Sequence, residues 1–158
     1  VKTMARIIER TEELGLDRIR PMMTAPRTKG GAITKAAAEV GATVGAKFLV
    51  TFTQSGDSAR RISRLRSPIP ILAITPEEGT YNRLALSWGV ESLVTPMVKH
   101  TDEMVLQADK MLLDGKRATE GELVMIVAGS PPGIPGSTNA MRVHKVGDAV
   151  NGVAAAYR

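Results

Sequence analysis

Short β-rich runs alternate with stretches of helical spacing along most of this chain. The runs predict strands at 48–52, 69–75, 90–94, 122–128 and 141–146. The stretches between them carry apolar residues every three or four positions and predict helices at 1–14, 33–46, 57–66, 76–88 and 101–112. This alternation is typical of a mostly parallel sheet covered by helices.

The connection before the last predicted strand differs from the others. It runs from Gly129 to Asn139, is rich in Pro and Gly, and is too short to contain a crossover helix. The last strand should therefore pair antiparallel with the fourth. We predict a three-layer α/β/α domain with a five-stranded, mostly parallel sheet whose last strand is antiparallel.

Capping residues indicate where two of the helices begin. Thr75, Pro76 and Glu78 have the order of an N-cap, a first helical residue and a capping-box glutamate. Thr101 precedes two acidic residues and predicts the start of the last helix. The helix that follows Pro76 should close at Gly89.

Composition narrows the class of protein. The chain has 158 residues, of which 43% are hydrophobic, enough for one compact domain. With no cysteine and two isolated histidines, disulfides and Cys-ligated metal sites are excluded and no histidine metal site is expected. The apolar runs are much shorter than the ~20 residues that cross a bilayer, so we expect a cytoplasmic protein with no membrane partner.

A net charge of +5 and a pI near 9.8 favour acidic partners, whether phosphorylated metabolites, nucleic acid or protein. Much of this charge lies in the helix after residue 57, at Arg60, Arg61, Arg64 and Arg66. We interpret this as a solvated face, because aromatic stacking partners are scarce and no nucleic-acid-binding motif is present. We expect no nucleic-acid partner.

One loop is a candidate phosphate cradle. Thr53–Ser58 connects a strand end to a helix start, where free backbone N–H groups favour an anion, and its hydroxyls and Gly56 suit a phosphate. The alternative is that Ser55 or Asp57 merely caps the helix. Asp57 would also repel a dianion unless it points away or a nearby cation offsets its charge.

No catalytic group stands out. The acidic pairs at 77–78 and 102–103 fall in first helical turns, where carboxylates stabilise the helix dipole. His144 has no nearby Ser or Cys motif to activate, and neither a P-loop nor a G-x-S-x-G pattern occurs. We expect no self-contained active site.

Four separated motifs carry a resemblance to a known family. They are the stretch 46–60, the segment Pro68-Ile69-Pro70-Ile71, the stretch 84–90, and 124–129 with its Pro/Gly loop and Ser137-Thr138-Asn139. In this order the motifs resemble the C-terminal domain of pyruvate kinase, over residues 31–146. The variant Gln54-Ser55-Gly56-Asp57 resembles the actinobacterial branch.

The resemblance implies a division of the chain and of its functions. By this resemblance, residues 1–14 would be the end of the last helix of the catalytic barrel and 31–146 the α/β domain. The Pro, Gly and scattered cations of 15–30 predict a linker, and the weak pattern of 147–158 predicts a loosely held tail. Pyruvate kinases transfer phosphate from phosphoenolpyruvate to ADP with magnesium and potassium. The residues that bind these metal ions and the phosphoryl-transfer lysine would lie in the barrel. We therefore expect no catalytic residue, metal or cofactor in this chain and no turnover by it alone. Its partners would be its own barrel and further copies, in a dimer or tetramer.

By position, two loops match the family's effector site. The predicted binding residues are Thr53, Gln54, Ser55, Gly56, Ser58, Gly133, Ile134, Pro135, Gly136 and Ser137. Met104 replaces the arginine that binds a second phosphate in relatives regulated by fructose 1,6-bisphosphate, and Ser130 and Pro131 replace a Trp and an Arg. A monophosphate effector is therefore favoured. The rival hypotheses are a free-standing phosphate-ester-binding α/β protein and a basic nucleic-acid-binding module.

Overall fold

A computed structural model of the chain describes residues 1–15, 25–134 and 136–153. Its helices are α1 (Lys2–Gly15), α2 (Lys29–Val44), α3 (Asp57–Arg64), α4 (Glu78–Leu84) and α5 (Thr101–Asp114). Its strands are β1 (Leu49–Phe52), β2 (Ile71–Thr75), β3 (Val90–Val94), β4 (Leu123–Gly129) and β5 (Thr138–Lys145). No helix in these ranges is long and apolar enough to cross a bilayer.

The sheet has the order β3-β2-β1-β4-β5. The pairs β1–β2, β1–β4 and β2–β3 are parallel, and β4–β5 is antiparallel. The prediction of a five-stranded, mostly parallel sheet with an antiparallel last strand is confirmed. The carboxyl ends of the parallel strands lie at one edge of the sheet, where loops of α/β proteins commonly form binding sites.

Successive residues of the central strands face opposite layers of helices. Leu49 and Met125 pack with Ala37 of α2 and Ile62 of α3, whereas Val50 and its neighbours pack beneath α5. Burial of each large apolar side chain in these clusters stabilises the fold by about 1.5–3 kcal/mol. The domain therefore has three layers, with α2, α3 and α4 on one face and α5 on the other.

Several boundaries differ from the predictions. β2 begins at Ile71 and not at residue 69, because Pro68 and Pro70 have no N–H to donate to a sheet. α4 begins at Glu78, since Thr75 is still the last residue of β2, and it ends at Leu84, short of the predicted residue 88. The N-cap of α4 is Glu77, and its N–H donates a hydrogen bond to Oγ1 of Thr75.

The last helix begins at Thr101, as predicted, but its capping residue and the start of the last strand differ from the predictions. The N-cap of α5 is His100 and not Thr101, and Oε2 of Glu103 accepts hydrogen bonds from the N–H groups of Lys99 and His100 at 3.0 and 3.3 Å. β5 begins at Thr138, three residues before the predicted Met141, because the hairpin continues pairing up to Gly129.

The regions on either side of the domain also differ from expectation. α2 begins at Lys29, inside the segment predicted to be a linker, and Thr28 caps it by accepting from the N–H of Gly31. Residues 16–24 of that segment, and 154–158 of the tail, lie outside the described residues. In the described part of the tail, the N–H groups of Gly147 and Ala149 donate to the buried carboxylate of Asp109.

α1 is helical, as predicted, and buries none of its residues. Its apolar side chains Met4, Ile7, Ile8 and Leu14 are each more than half exposed. Glu12 accepts a hydrogen bond from Nε1 of Trp88 at 3.2 Å, which is a contact between this helix and the α/β domain.

Candidate functional site

An open cleft lies at the carboxyl edge of the parallel strands. Its volume is about 690 Å3, which includes space that is open to solvent. The loop after β1 and the hairpin loop between β4 and β5 form two of its walls. Residues Thr95–Val98, which follow β3, and the first turns of α5 form the rest. The sequence-predicted loops are therefore brought together at one site.

The loop after β1 folds around Gly56. This residue has a left-handed backbone (φ 81°, ψ 1°) and is the N-cap of α3. A Cβ here would approach Thr80 and Leu84 to 3.2 and 3.3 Å, so both conformation and space require glycine. Its N–H donates to Oγ1 of Thr53 at 3.0 Å, which holds the loop closed at the end of the strand.

The capping alternative for this loop is supported only weakly. Oγ of Ser55 lies 3.4 Å from the N–H of Asp57, a long hydrogen bond, and Gly56 has no side chain with which to cap α3. The first-turn N–H groups of a helix have no acceptor within the helix, so this end of α3 favours a bound anion.

The guanidinium of Arg61 offsets the negative charge of Asp57, which was one of the conditions for anion binding at this loop. Nε of Arg61 donates to Oδ2 of Asp57 at 2.6 Å, and Nη1 of the same guanidinium donates to Oγ1 of Thr28 at 2.9 Å. The i, i+4 spacing of Asp57 and Arg61 on α3 is typical of an ion pair on a helix, but this pair was not predicted from the sequence. Asp57 also lines the cleft, so its pairing with Arg61 governs how strongly an anion there is repelled.

A hydrogen bond joins the first turn of α3, which follows the β1 loop, to the first residue of β5, which follows the hairpin loop. Oγ of Ser58 lies 2.6 Å from Oγ1 of Thr138, and Ser58 is buried. At the base of the hairpin loop, the Asn139 side chain donates to the carbonyl of Ser130 and accepts from its N–H, at 2.7 and 2.8 Å. A Cβ on Gly129 would overlap the Ser137 side chain, so a glycine there lets the loop fold back over the strand end.

Most of the predicted site residues line the cleft. Those that do are Thr53, Gln54, Ser55, Ser58, Gly133, Ile134, Gly136 and Ser137. Gly56 lies behind the loop against Leu84, and Pro135 is outside the described residues. Whether any of them binds an effector stays a prediction.

The wall opposite the β1 loop was not predicted from the sequence. Met97, Val98 and Gln107 line it, and Nε2 of Gln107 donates to the carbonyl of Pro96 at 3.1 Å. The missed signal was positional, because the segment after β3 must lie at the same sheet edge as the loop after β1.

The described lining contains no lysine or arginine, and Met104 lies where the resemblance placed a lost arginine. Besides Arg61, Arg60 also binds the loop after β1, because its Nη1 donates to the carbonyl of Ser55 at 3.2 Å. Within the described ranges, no group of three or more His, Cys, Asp or Glu could hold a metal ion.

One acidic group beside the cleft is held in its charged form. The backbone N–H of Lys99 holds the pKa of Glu103 below its ordinary value of 4.5, and the N–H of His100 contributes in the same direction. Glu103 thus fixes the start of α5 immediately before Met104.

Comparison with known proteins gives a consistent result. Residues 31–144 match the family model described as the pyruvate kinase α/β domain. The chain is 47% identical over 148 residues to the pyruvate kinase of Mycobacterium tuberculosis H37Rv, a match covering 94% of this chain and 31% of that protein. The corresponding identity is 41%, with the same coverage, for the pyruvate kinase of Corynebacterium glutamicum. The chain therefore spans about a third of the length of these relatives.

A solved structure has the same fold. The pyruvate kinase of Cryptosporidium parvum in complex with ADP superposes with a TM-score of 0.70 and 27% identity, over 78% of this chain and 25% of that one. The predicted resemblance, including its actinobacterial type, is confirmed by the mycobacterial and corynebacterial relatives. The chain belongs to the pyruvate kinase family and comprises its C-terminal α/β domain.

Proposed function

We propose that this chain is the regulatory domain of a pyruvate kinase and that its cleft binds a monophosphorylated effector, such as a sugar phosphate or a nucleoside monophosphate. The observation that carries the proposal is the cleft itself. Two loops that are far apart in the sequence meet there at the N-terminus of α3, and the Ser58–Thr138 hydrogen bond joins the helix and the strand that follow them.

The phosphate would lie against the loop after β1. Ser55 is exposed at its tip, its hydroxyl makes only a long bond to Asp57, and the helix start offers N–H donors. The pairing of Asp57 with Arg61 lowers the repulsion that a dianion would otherwise meet. The phosphate thus has neutral donors and a helix dipole in place of a lysine.

The opposite wall suits an uncharged group. Met97, Val98 and Met104 present apolar atoms, and Met104 is 4% exposed. A second phosphate placed there would lose its hydration without gaining a cation, which costs several kcal/mol. This supports a monophosphate over fructose 1,6-bisphosphate.

The full-length protein would be a cytoplasmic pyruvate kinase that uses magnesium and potassium in its barrel and assembles as a dimer or tetramer. Effector binding would order the two loops and bias the packing of subunits, by no more than the effector's difference in affinity between the two states. Since catalysis would belong to the barrel, we expect no phosphoenolpyruvate-dependent ATP formation by this chain. Detectable turnover would contradict that expectation.

Calorimetric titration of the chain tests the proposed site. Glucose 6-phosphate, ribose 5-phosphate, AMP and fructose 1,6-bisphosphate are titrated into wild type, Ser55→Ala and Ser67→Ala. The Ser67 control makes the same change at the opposite edge of the sheet, where its hydroxyl accepts from the N–H of Ile69. We expect saturable binding of a monophosphate that only Ser55→Ala weakens. Absence of binding by all four, or equal weakening by both variants, would overturn the assignment of the site.

A further inference from the structure

A second concave surface lies on the far side of Arg61 from the cleft, between the start of α2 and the end of α3. This basic groove has a volume of about 450 Å3, which includes space that is open to solvent. It is lined by Pro26, Gly31, Thr34, Lys35, Arg61, Arg64 and Leu65. We propose that the basic groove binds a di- or triphosphate chain and that this ligand opposes effector binding in the cleft through Arg61.

The groove carries positive charge that carboxylates neutralise only in part, since Arg61 is paired with Asp57. Among the described residues, Arg64 has no ion-pair or hydrogen-bond partner. Lys35 has only Glu39, at 3.7 Å, and both side chains are largely exposed, so this pair contributes little. Three cations therefore converge on a surface whose own lining has no carboxylate.

Arginine geometry suits phosphate oxygens. A guanidinium presents a planar fork of N–H donors that binds phosphate in a bidentate manner, and two of the three cations are arginines. Gly31 lines the groove without a side chain that could fill it. A Cβ at this position would come within 3.1 Å of Oγ1 of Thr28 and 3.4 Å of Nη1 of Arg61. The side chain of Arg61 is thus accessible from this surface.

The number of cations and the shape of the groove determine the class of ligand. Three positive side chains around a short concavity match several linked phosphates better than one. A nucleic-acid strand is disfavoured, because single-strand binding relies on aromatic stacking and the described lining has no aromatic residue. The shared chemistry is that of pyrophosphate, tripolyphosphate or the phosphate chain of a nucleotide.

Arg61 connects the groove to the cleft. Its guanidinium donates to Asp57, which lines the cleft, and the same guanidinium lines the groove. An anion in the groove draws this positive charge away from Asp57, whose carboxylate then repels a phosphate in the cleft more strongly. By linkage, an effector in the cleft weakens binding in the groove by the same factor.

Titration with sodium pyrophosphate and tripolyphosphate tests the groove by itself. Arg64→Met and Lys35→Met should each weaken binding about fivefold or more, the loss expected for a charge-assisted contact. The control Lys110→Met removes an exposed cation from α5, on the opposite face of the sheet, and should change the affinity less than about twofold. Equal effects of all three variants, or none, would overturn the proposal, as would tighter binding of a single-stranded oligonucleotide through Arg64.

The coupling rests on the proposed function and is tested separately. Glucose 6-phosphate is titrated with and without saturating pyrophosphate, and its affinity should fall by about fivefold, at the low end of usual allosteric couplings. If the cleft binds no effector, the proposed function fails while the pyrophosphate titrations still decide the groove. If both ligands bind with unchanged affinities in each other's presence, the role given to Arg61 is wrong.

Discussion

Nε2 of His144 lies 2.7 Å from Oδ1 of Asp109, and both side chains are almost fully buried. The other oxygen of Asp109 accepts from the N–H groups of Gly147, Ala149 and Val150, at 2.9–3.3 Å. One carboxyl group thus joins α5 to the last strand and to the turn after it. His144 has a structural role here, which explains why no catalytic partner was found for it in the sequence.

Replacement of Asp109 should be strongly destabilising. Asp109→Ala leaves His144 and buried backbone N–H groups without their acceptor, so we expect a loss of about 3 kcal/mol or more in the free energy of unfolding, measured with urea. The control is Asp114→Ala on the same helix, where the side chain is exposed, and should change stability by less than about 0.5 kcal/mol. Similar losses in the two variants would contradict the role assigned to Asp109.

The pairing of Asp57 with Arg61 should set effector affinity. Arg61→Met exposes the Asp57 charge to the cleft, and we expect glucose 6-phosphate to bind about tenfold more weakly, equivalent to ~1.4 kcal/mol. Adding Asp57→Asn removes the repelling charge and should restore affinity to within about threefold of wild type. A double variant as weak as the single one would show that Asp57 does not act on the ligand.

Gly129 should control the position of the hairpin loop. Gly129→Ala places a methyl group against Ser137, a residue of the cleft lining, which must then move. We expect effector binding to weaken about tenfold or more, while the urea midpoint falls only modestly, because the loop and not the core is displaced. Gly79→Ala, at a position with open space around its Cβ, is the matched control. Unchanged binding by Gly129→Ala would mean that the hairpin loop takes no part in the site.

Stability should depend on the ionisation of Glu103. Its pKa is lowered in the folded protein, chiefly by the N–H of Lys99, so its contribution is fully present above the ordinary value of 4.5 and is lost as the pH falls through the lowered pKa. Glu103→Ala should therefore lower the thermal midpoint at pH 7, and the difference from wild type should shrink below about pH 4. Glu9→Ala, in exposed α1, should stay close to wild type throughout. A difference for Glu103→Ala that persists unchanged at acid pH would contradict this mechanism.

The sheet and its last antiparallel strand were predictable because both depend on local signals. The Pro/Gly connection after Gly129 is too short for a helix, and that alone fixes the direction of β5. Helix starts were less predictable, since Thr75 has the sequence features of an N-cap but is still paired in β2. Its strand pairing with Val94 outweighs a local preference.

The candidate site was predicted in part for a similar reason. The loop at Thr53–Ser58 carries its own chemistry, whereas Met97 and Gln107 become visible as a wall only once the sheet order places β3 beside β2. Asp109 was the hardest to interpret, because its partners follow it by 35 or more positions and no short-range pattern links them. Asp109 nevertheless lies four positions after Val105 and three before Leu112, on the apolar face of α5, and this spacing indicates a buried acid.

The reversal of β5 has a consequence for how such a domain can diversify. Because β5 runs back along β4, the hairpin loop stays at the edge of the sheet that also holds the loop after β1. A parallel last strand would have taken the chain to the opposite edge first. The second wall of the cleft is consequently a surface insertion between two paired strands. It can change in length and composition, and with it the shape of the cleft, without disturbing the layers beneath.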